Sequence, residues 1–164
     1  MDLASAVSDT EPSRIHNLFT NETGFQTPKV DVRAVVIKEG KILMVRERID
    51  GRHSMPGGFA DINYSPAEVA VKEVREETGL NVRFSRVLAL VDTDRHGFPP
   101  LPYHFYKIVM LCDLVDGELC DSNETTGAGF FGFDNLPELS LERNTPQLFE
   151  LIRRQLETTV TYSD

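Results

Sequence analysis

Residues 65–79 constrain the fold more than any other part of the chain. Ser65-Pro66-Ala67-Glu68 reads as a helix start, with Ser65 at the N-cap, Pro66 in the first helical position and Glu68 completing a capping box. Gly79 supplies the left-handed residue that ends the last turn. The spacing predicts a helix over 66–78. At about 100° per residue, Ala67, Ala70, Val71 and Val74 share one side, and Glu73, Glu76 and Glu77 fall together on the adjacent side. Three like charges on one face have two readings. One is a solvated acidic face. The other is a set of oxygen ligands for a hard divalent cation, which shares its remaining positions with water and substrate phosphate. The segment Met55-Pro56-Gly57-Gly58-Phe59-Ala60-Asp61 runs into this helix. Its paired glycines make an ordinary tight turn or let the backbone approach a ligand closely. Glycine loop, capped helix and acidic face in immediate succession favour the ligand reading.

Around this helix the pattern is that of strands. Residues 30–37 are mostly apolar and β-branched, Glu39-Gly40 makes a turn, and residues 41–46 are apolar again, which predicts a hairpin. Ile42-Leu43-Met44-Val45 reads as a strand buried on both faces. Residues 53–63 read as glycine-rich loop or short strand. Further strands are predicted over 82–93, 103–114 and 129–133. A proline-rich loop spans 98–102, where proline removes the ladder donor. Asp116-Gly117 turns the chain, and a last helix is expected over about 146–158. Residues 1–13 read as a polar tail, and Ile15-His16-Asn17-Leu18-Phe19 has helix-like spacing. The expected organisation is a tail and short appendage over 1–28 and one domain over 29–160. The expected fold class is α/β (α+β): an α/β/α sandwich with a mixed central sheet.

A chain of 164 residues has room for one ordinary domain. The formal charge of −9 argues against the broad phosphate-tracking surface of a nucleic-acid binder. It agrees with a small phosphorylated ligand bridged to carboxylates by metal cations. No apolar run is long enough for a bilayer, and the N-terminus lacks the features of an export signal. Cys112 and Cys120 therefore read as two reduced thiols in a cytoplasmic protein, Cys112 packing as a small hydrophobe.

The run Lys72-Glu73-Val74-Arg75-Glu76-Glu77-Thr78-Gly79-Leu80, with Gly58 upstream, resembles the Nudix signature G-x5-E-x7-R-E-U-x-E-E-x-G-U. Pro56-Gly57-Gly58 and Phe130-Phe131-Gly132-Phe133-Asp134-Asn135-Leu136-Pro137 extend the resemblance to about 30–155. Two positions depart from the signature: Tyr64 stands where it has glutamate, and Lys72 where it has arginine. Lysine keeps the charge and loses the bidentate fork. Phe59-Ala60-Asp61, Tyr103-His104 with Tyr106-Lys107, and Glu138-Leu139-Ser140 before Arg143-Asn144-Thr145 are similar to the bacterial ADP-ribose and CDP-choline pyrophosphatase subgroup, which shares both departures. Members usually carry a longer N-terminal helical domain.

The resemblance implies Mg²⁺, with Mn²⁺ as an alternative, and a polarised water attacking the pyrophosphate of a nucleoside diphosphate derivative. It implies Glu73 and Glu77 as principal metal ligands, Glu76 in support, and the Gly57 carbonyl as a further ligand. Glu124 is the candidate general base or an acidic loop residue. Arg46, Arg48 and Arg52 are candidate phosphate contacts or ordinary exposed arginines. His53 is a candidate base contact, and His104 faces either the cleft or the core. No stable nucleic-acid or membrane partner is expected, and a homodimer is left open. Two rivals stand beside this reading. One is a catalytically weak Nudix-fold nucleotide sensor, motivated by Tyr64 and Lys72. The other is a regulator acting on nucleic acid, which the charge disfavours.

Overall fold

A computed structural model describes Gly24 and residues 27–101 and 103–164. The helix-like stretch 15–19 lies outside the described residues. The elements run β1 (Lys29–Lys38), β2 (Lys41–Glu47), β3 (His53–Ser54), β4 (Gly57–Phe59), α1 (Pro66–Thr78), β5 (Leu80–Asp92), β6 (Phe105–Gly117), β7 (Thr125–Gly132), α2 (Pro146–Leu156) and β8 (Tyr162–Ser163). They build an eight-stranded sheet in the order β3-β2-β1-β6-β5-β8, with β4 added to β1 and β7 to β2. The sheet is mixed: β1 runs parallel to β6 and β5 parallel to β8, while the other pairs are antiparallel.

Helix α1 starts and stops where the sequence places it. The Ser65 side chain accepts from the Glu68 N–H, the Glu68 carboxylate accepts from the Ser65 N–H, and Gly79 closes the helix at φ 77°. The two helices cover opposite faces, and the pleat divides the strands between them. Val32, Ala34 and Val36 of β1, Leu43 of β2, and Met110 and Cys112 of β6 pack with Val69, Ala70 and Val74 of α1. Val35, Ile42, Met44 and Val109 pack with Leu148, Phe149, Leu151 and Ile152 of α2. Residues 42–45 are fully buried, as expected of a strand covered on both faces. Cys112 is buried among apolar side chains, and Cys120 is exposed and unpaired.

Several boundaries differ from the sequence reading, chiefly at β6 and β7, and one strand was not expected. Strand β6 continues through Asp116 and Gly117, because these residues stay paired with Asn81 and Leu80 of β5. Strand β7 begins at Thr125, because Thr125 and Thr126 pair with Glu47 and Arg46 across a bulge in β2. Short strand β8 comes from a polar sequence that no periodicity marks, and it is held by parallel pairing with β5.

The topology positions a cleft. Strand β1 divides one of its edges: Ile37 and Lys38 pair with β2, whereas Asp31, Val32 and Arg33 pair with β4. The cleft forms over this division, between β1, β2, β4 and the C-terminal half of α1. Replacing Ser65 with Ala is expected to lower unfolding stability by about 1 kcal/mol, read by urea denaturation, because an orphan N–H loses its acceptor.

Candidate active site

The cleft measures about 550 Å³, and its two ends differ. At the acidic end stand Glu47, Glu73, Glu77 and Glu124. Glu73, Glu76 and Glu77 do not share one environment, although they share one stretch of helix. Glu77 turns inward beside Ala70 and Val74 and is only 6% exposed. Glu73 is half-buried, and Glu76 is exposed on the far side of Lys72. Adjacent helical residues lie about 100° apart, so one of the pair Glu76–Glu77 must face solvent when the other faces the sheet.

Glu77 is held by the Gly57 N–H at 3.2 Å. That contact depends on glycine, since Gly57 has φ 149° and a Cβ there would lie 2.1 Å from the Val32 carbonyl oxygen. A Cβ on Gly58 would approach the Glu73 carboxyl to 3.5 Å. The glycine pair therefore brings backbone directly against both carboxylates. Burial pushes Glu77 up to about 8, Arg33 pulls it back, and the charges of Glu73 and Glu47 raise it again. Burial also raises Glu73, against the opposing contact with Lys72.

Lys72 makes three contacts, to Asp61 at 3.0 Å, Glu73 at 3.2 Å and Glu76 at 3.4 Å. The hydrogen bond to Asp61 is the main reason its ammonium is held well above its ordinary value. Tyr64 is exposed and lines a groove with Val71 and Phe84 on the outer side of α1, away from the cleft.

The floor carries charges that the strand pattern disguised. Asp31 and Arg33 form a fork at 2.8 and 3.0 Å, and Lys107 reaches the same carboxylate from the adjacent parallel strand. All three are at most 5% exposed. Arg33 also donates to the Met55 carbonyl at 3.1 Å, which fixes the approach to the glycine loop. Burial alone would raise Asp31, but the charges of Arg33 and Lys107 outweigh it and hold the carboxyl below its usual range. Burial lowers the Lys107 ammonium against the pull of Asp31. Arg143 reaches Glu47 at 3.2 Å, and the neighbouring Asn144 is fully buried, bonded to Met55, His53 and Ser140. Asp31, Arg33 and Glu47 were not singled out from sequence, and Lys107 and Arg143 entered only as part of the subgroup resemblance, with no role given to them. For Asp31 and Arg33 the available signal was the alternation of charged and apolar residues over 29–33, which also fits a solvent-facing edge.

The other predicted residues divide. Glu124 reaches the acidic end from a loop tied to α1 by the Thr125 hydroxyl, which donates to the Glu77 carbonyl at 2.9 Å. Arg48 joins that loop, donating to the Ser122 carbonyl at 2.9 Å beside Glu73, Glu76 and Glu124. Arg46 donates to Gly51, and Arg52 pairs with Glu138, so neither lines the cleft. His53 packs edge-on against Phe131, and burial lowers its imidazole. His104 pairs with Asp92 at 2.8 Å, with Asp94 at 4.0 Å. Their ligand atoms lie within 4.8 Å of one another, but this group is largely exposed and outside the cleft.

The family model described as NUDIX domain matches residues 27–155. The chain belongs to the Nudix hydrolase family. It is 43% identical over 163 residues to a Bacillus subtilis (strain 168) protein with a provisional ADP-ribose pyrophosphatase name, covering 97% of this chain and 78% of that one. Among solved structures, a UDP-X diphosphatase superposes with a TM-score of 0.81 at 32% identity, over 98% of this chain and 78% of the other. An ADP-ribose pyrophosphatase from Streptococcus suis 89-1591 gives 0.76 at 39% identity, over 84% and 100%.

Replacing Asp31 with Asn is expected to destabilise the fold by about 3–5 kcal/mol, because it leaves Arg33 and Lys107 buried without their shared counter-charge. Thermal unfolding with and without a compensating Lys107→Met change checks this, the double variant recovering part of the loss.

Proposed function

We propose that this enzyme hydrolyses the pyrophosphate link of a nucleoside diphosphate joined to a second group, of the ADP-ribose or CDP-choline type. The observation that carries the reading is the crowding of Glu73 and Glu77 against the Gly57-Gly58 backbone, with Glu47 lining the same cleft and Glu77 pushed up to about 8. Like charges held this close fit a cation between them. The donors are all oxygen, which suits a hard divalent ion. Glu73, Glu77 and the Gly57 carbonyl would hold Mg²⁺, or Mn²⁺ in its place, with Glu76 in support from the exposed side. Two carboxylates and a carbonyl leave positions for water and phosphate, as magnesium requires. A bound ion supplies water activation and neutralisation of charge on the phosphoryl oxygens.

The protein's own groups supply the rest. Glu124, on a loop anchored to α1, accepts the proton of the attacking water at its carboxylate. Arg143, Lys107 and Arg33 give the cleft a cationic side for the second phosphate. Arg48 steadies the Glu124 loop. The products are a nucleoside monophosphate and a phosphorylated partner. Relatives named as ADP-ribose pyrophosphatase and UDP-X diphosphatase support this substrate class. Lys72 supports an active site despite its departure from the signature, since it still contacts Glu73 and Glu76. The catalytic domain is assigned to 29–160, with 1–28 as an appendage. The two free cysteines agree with a cytoplasmic location, and no described helix is long and apolar enough to cross a membrane.

Replacing Glu77 with Gln is expected to cut kcat by about a hundredfold or more. Thermal stability should be kept or raised, because the amide fills the same space without a buried charge. Chelation should stop turnover of ADP-ribose and CDP-choline, and added Mg²⁺ should restore it, read as AMP or CMP release. Ligand-induced thermal stabilisation without turnover across metals and substrates would identify a sensor instead.

A further inference from the structure

The end of the cleft opposite the glutamates is aromatic. Phe59 and Phe105 stack at 5.7 Å between centroids, inclined by 17°, and Tyr103 meets Phe105 edge-on at 6.4 Å. Phe59 is 61% exposed and Tyr103 59%. Large aromatic surface left open in this way is a binding feature more often than a folding one. The sheet explains how it is held. Phe59 pairs directly with Asp31, and Phe105 lies two residues before Lys107 on β6. Directly paired residues and i, i+2 residues point to the same face. Phe59 and Phe105 therefore stand on the same face as the Asp31–Lys107 ion pair, Phe59 beside Asp31 and Phe105 about 7 Å along its strand from Lys107.

What the cleft lacks is equally informative. Among the described residues, no Asn, Gln, Ser or Thr side chain lines it. Asp61 and Lys72, which do, are bonded to each other at 3.0 Å. Base edges are read by fixed donors and acceptors, amide or charged, that are not already committed elsewhere, and here Arg143 is paired with Glu47 while Arg33 and Lys107 are both bound to Asp31. The Tyr103 hydroxyl both donates and accepts, so it does not separate one base from another. Every base, by contrast, offers a π-face.

From these observations we infer that Phe59, with Tyr103 and Phe105, is a stacking platform for the nucleobase, and that the enzyme accepts purine and pyrimidine diphosphate derivatives alike. The inference rests on the proposed pyrophosphatase reading for the substrate class and adds the base subsite and its tolerance. The ring of the base lies against Phe59. The phosphates run past Lys107 and Arg143 towards Glu73 and Glu77. Specificity then comes from the group beyond the second phosphate.

The test uses the full chain, and binding is measured separately from cleavage. Titration calorimetry with AMP, UMP and CMP is expected to give dissociation constants within about tenfold of one another, because stacking varies little with the base. Phe59→Ala should weaken all three by about tenfold or more, whereas ribose 5-phosphate, which has no base, should bind as before. Phe59→Tyr should restore affinity and Phe59→Leu should not, which separates a π-face from mere apolar contact. With ADP-ribose, CDP-choline and a UDP-sugar, the loss in Phe59→Ala should fall on KM. Nucleotide binding that depends on Phe59, with no cleavage of any substrate, would leave this inference standing and remove the pyrophosphatase reading. Three results would overturn the inference itself: a hundredfold preference for one base, equal loss of ribose 5-phosphate binding, or a Phe59→Ala change that alters oligomeric state and leaves KM untouched.

Discussion

Helices on both faces of the sheet leave the charged side chains of its central strands little access to water. Asp31, Arg33 and Lys107 would face solvent on a sheet covered on one side only. Here they are at most 5% exposed, and each is bound to another. An unpaired charge in that position costs several kcal/mol, so the pairing is a condition of folding. Arg33 has the further bond to Met55, through which the same triad fixes the approach to the glycine loop. The fold and the cleft are thereby tied to one set of charges.

The acidic end shows the opposite arrangement. Glu47 is paired with Arg143 and Glu73 with Lys72, whereas Glu77, buried against the Gly57 N–H, has no ion pair of its own among the described residues. Natural chains retain such uncompensated groups where a ligand completes the balance. The Asp92–Asp94–His104 group is geometrically tighter, but it is largely exposed and already satisfied by its own hydrogen bond. Water screens it, and nothing there requires a further partner. Burial rather than proximity is what separates the two clusters.

Much of this was legible in the chain. Helix α1 could be bounded to the residue, because a capping box and a C-terminal glycine are local signals that act within a few residues. The double-sided burial of Ile42-Leu43-Met44-Val45 followed from an unbroken apolar run. The role of Asp31 and Arg33 did not follow. Alternation of charged and apolar residues describes a half-exposed strand equally well, and only the segments folded over that face, Met55 and Phe98 among them, remove that reading. The arginines 46 and 52 illustrate the converse. Their positions near the glycine loop are fixed by sequence, but the direction of a long side chain is set by whichever acceptor lies nearby, here Gly51 and Glu138.

The sequence by itself determined helix α1, the glycine turn before it, most of the strands and the family. Each depends on spacing along the chain, which local backbone geometry converts directly into a face or a turn. The tertiary structure decided which glutamate is buried, which loop reaches it and what lines the far end of the cleft. Glu77 is buried and Glu76 exposed because the helix packs at one rotation against the sheet. Phe59, Phe105 and Lys107 share a face because β4 and β6 pair with opposite edges of β1. Contacts between residues dozens of positions apart depend on strand order and register, and no local pattern carries that information.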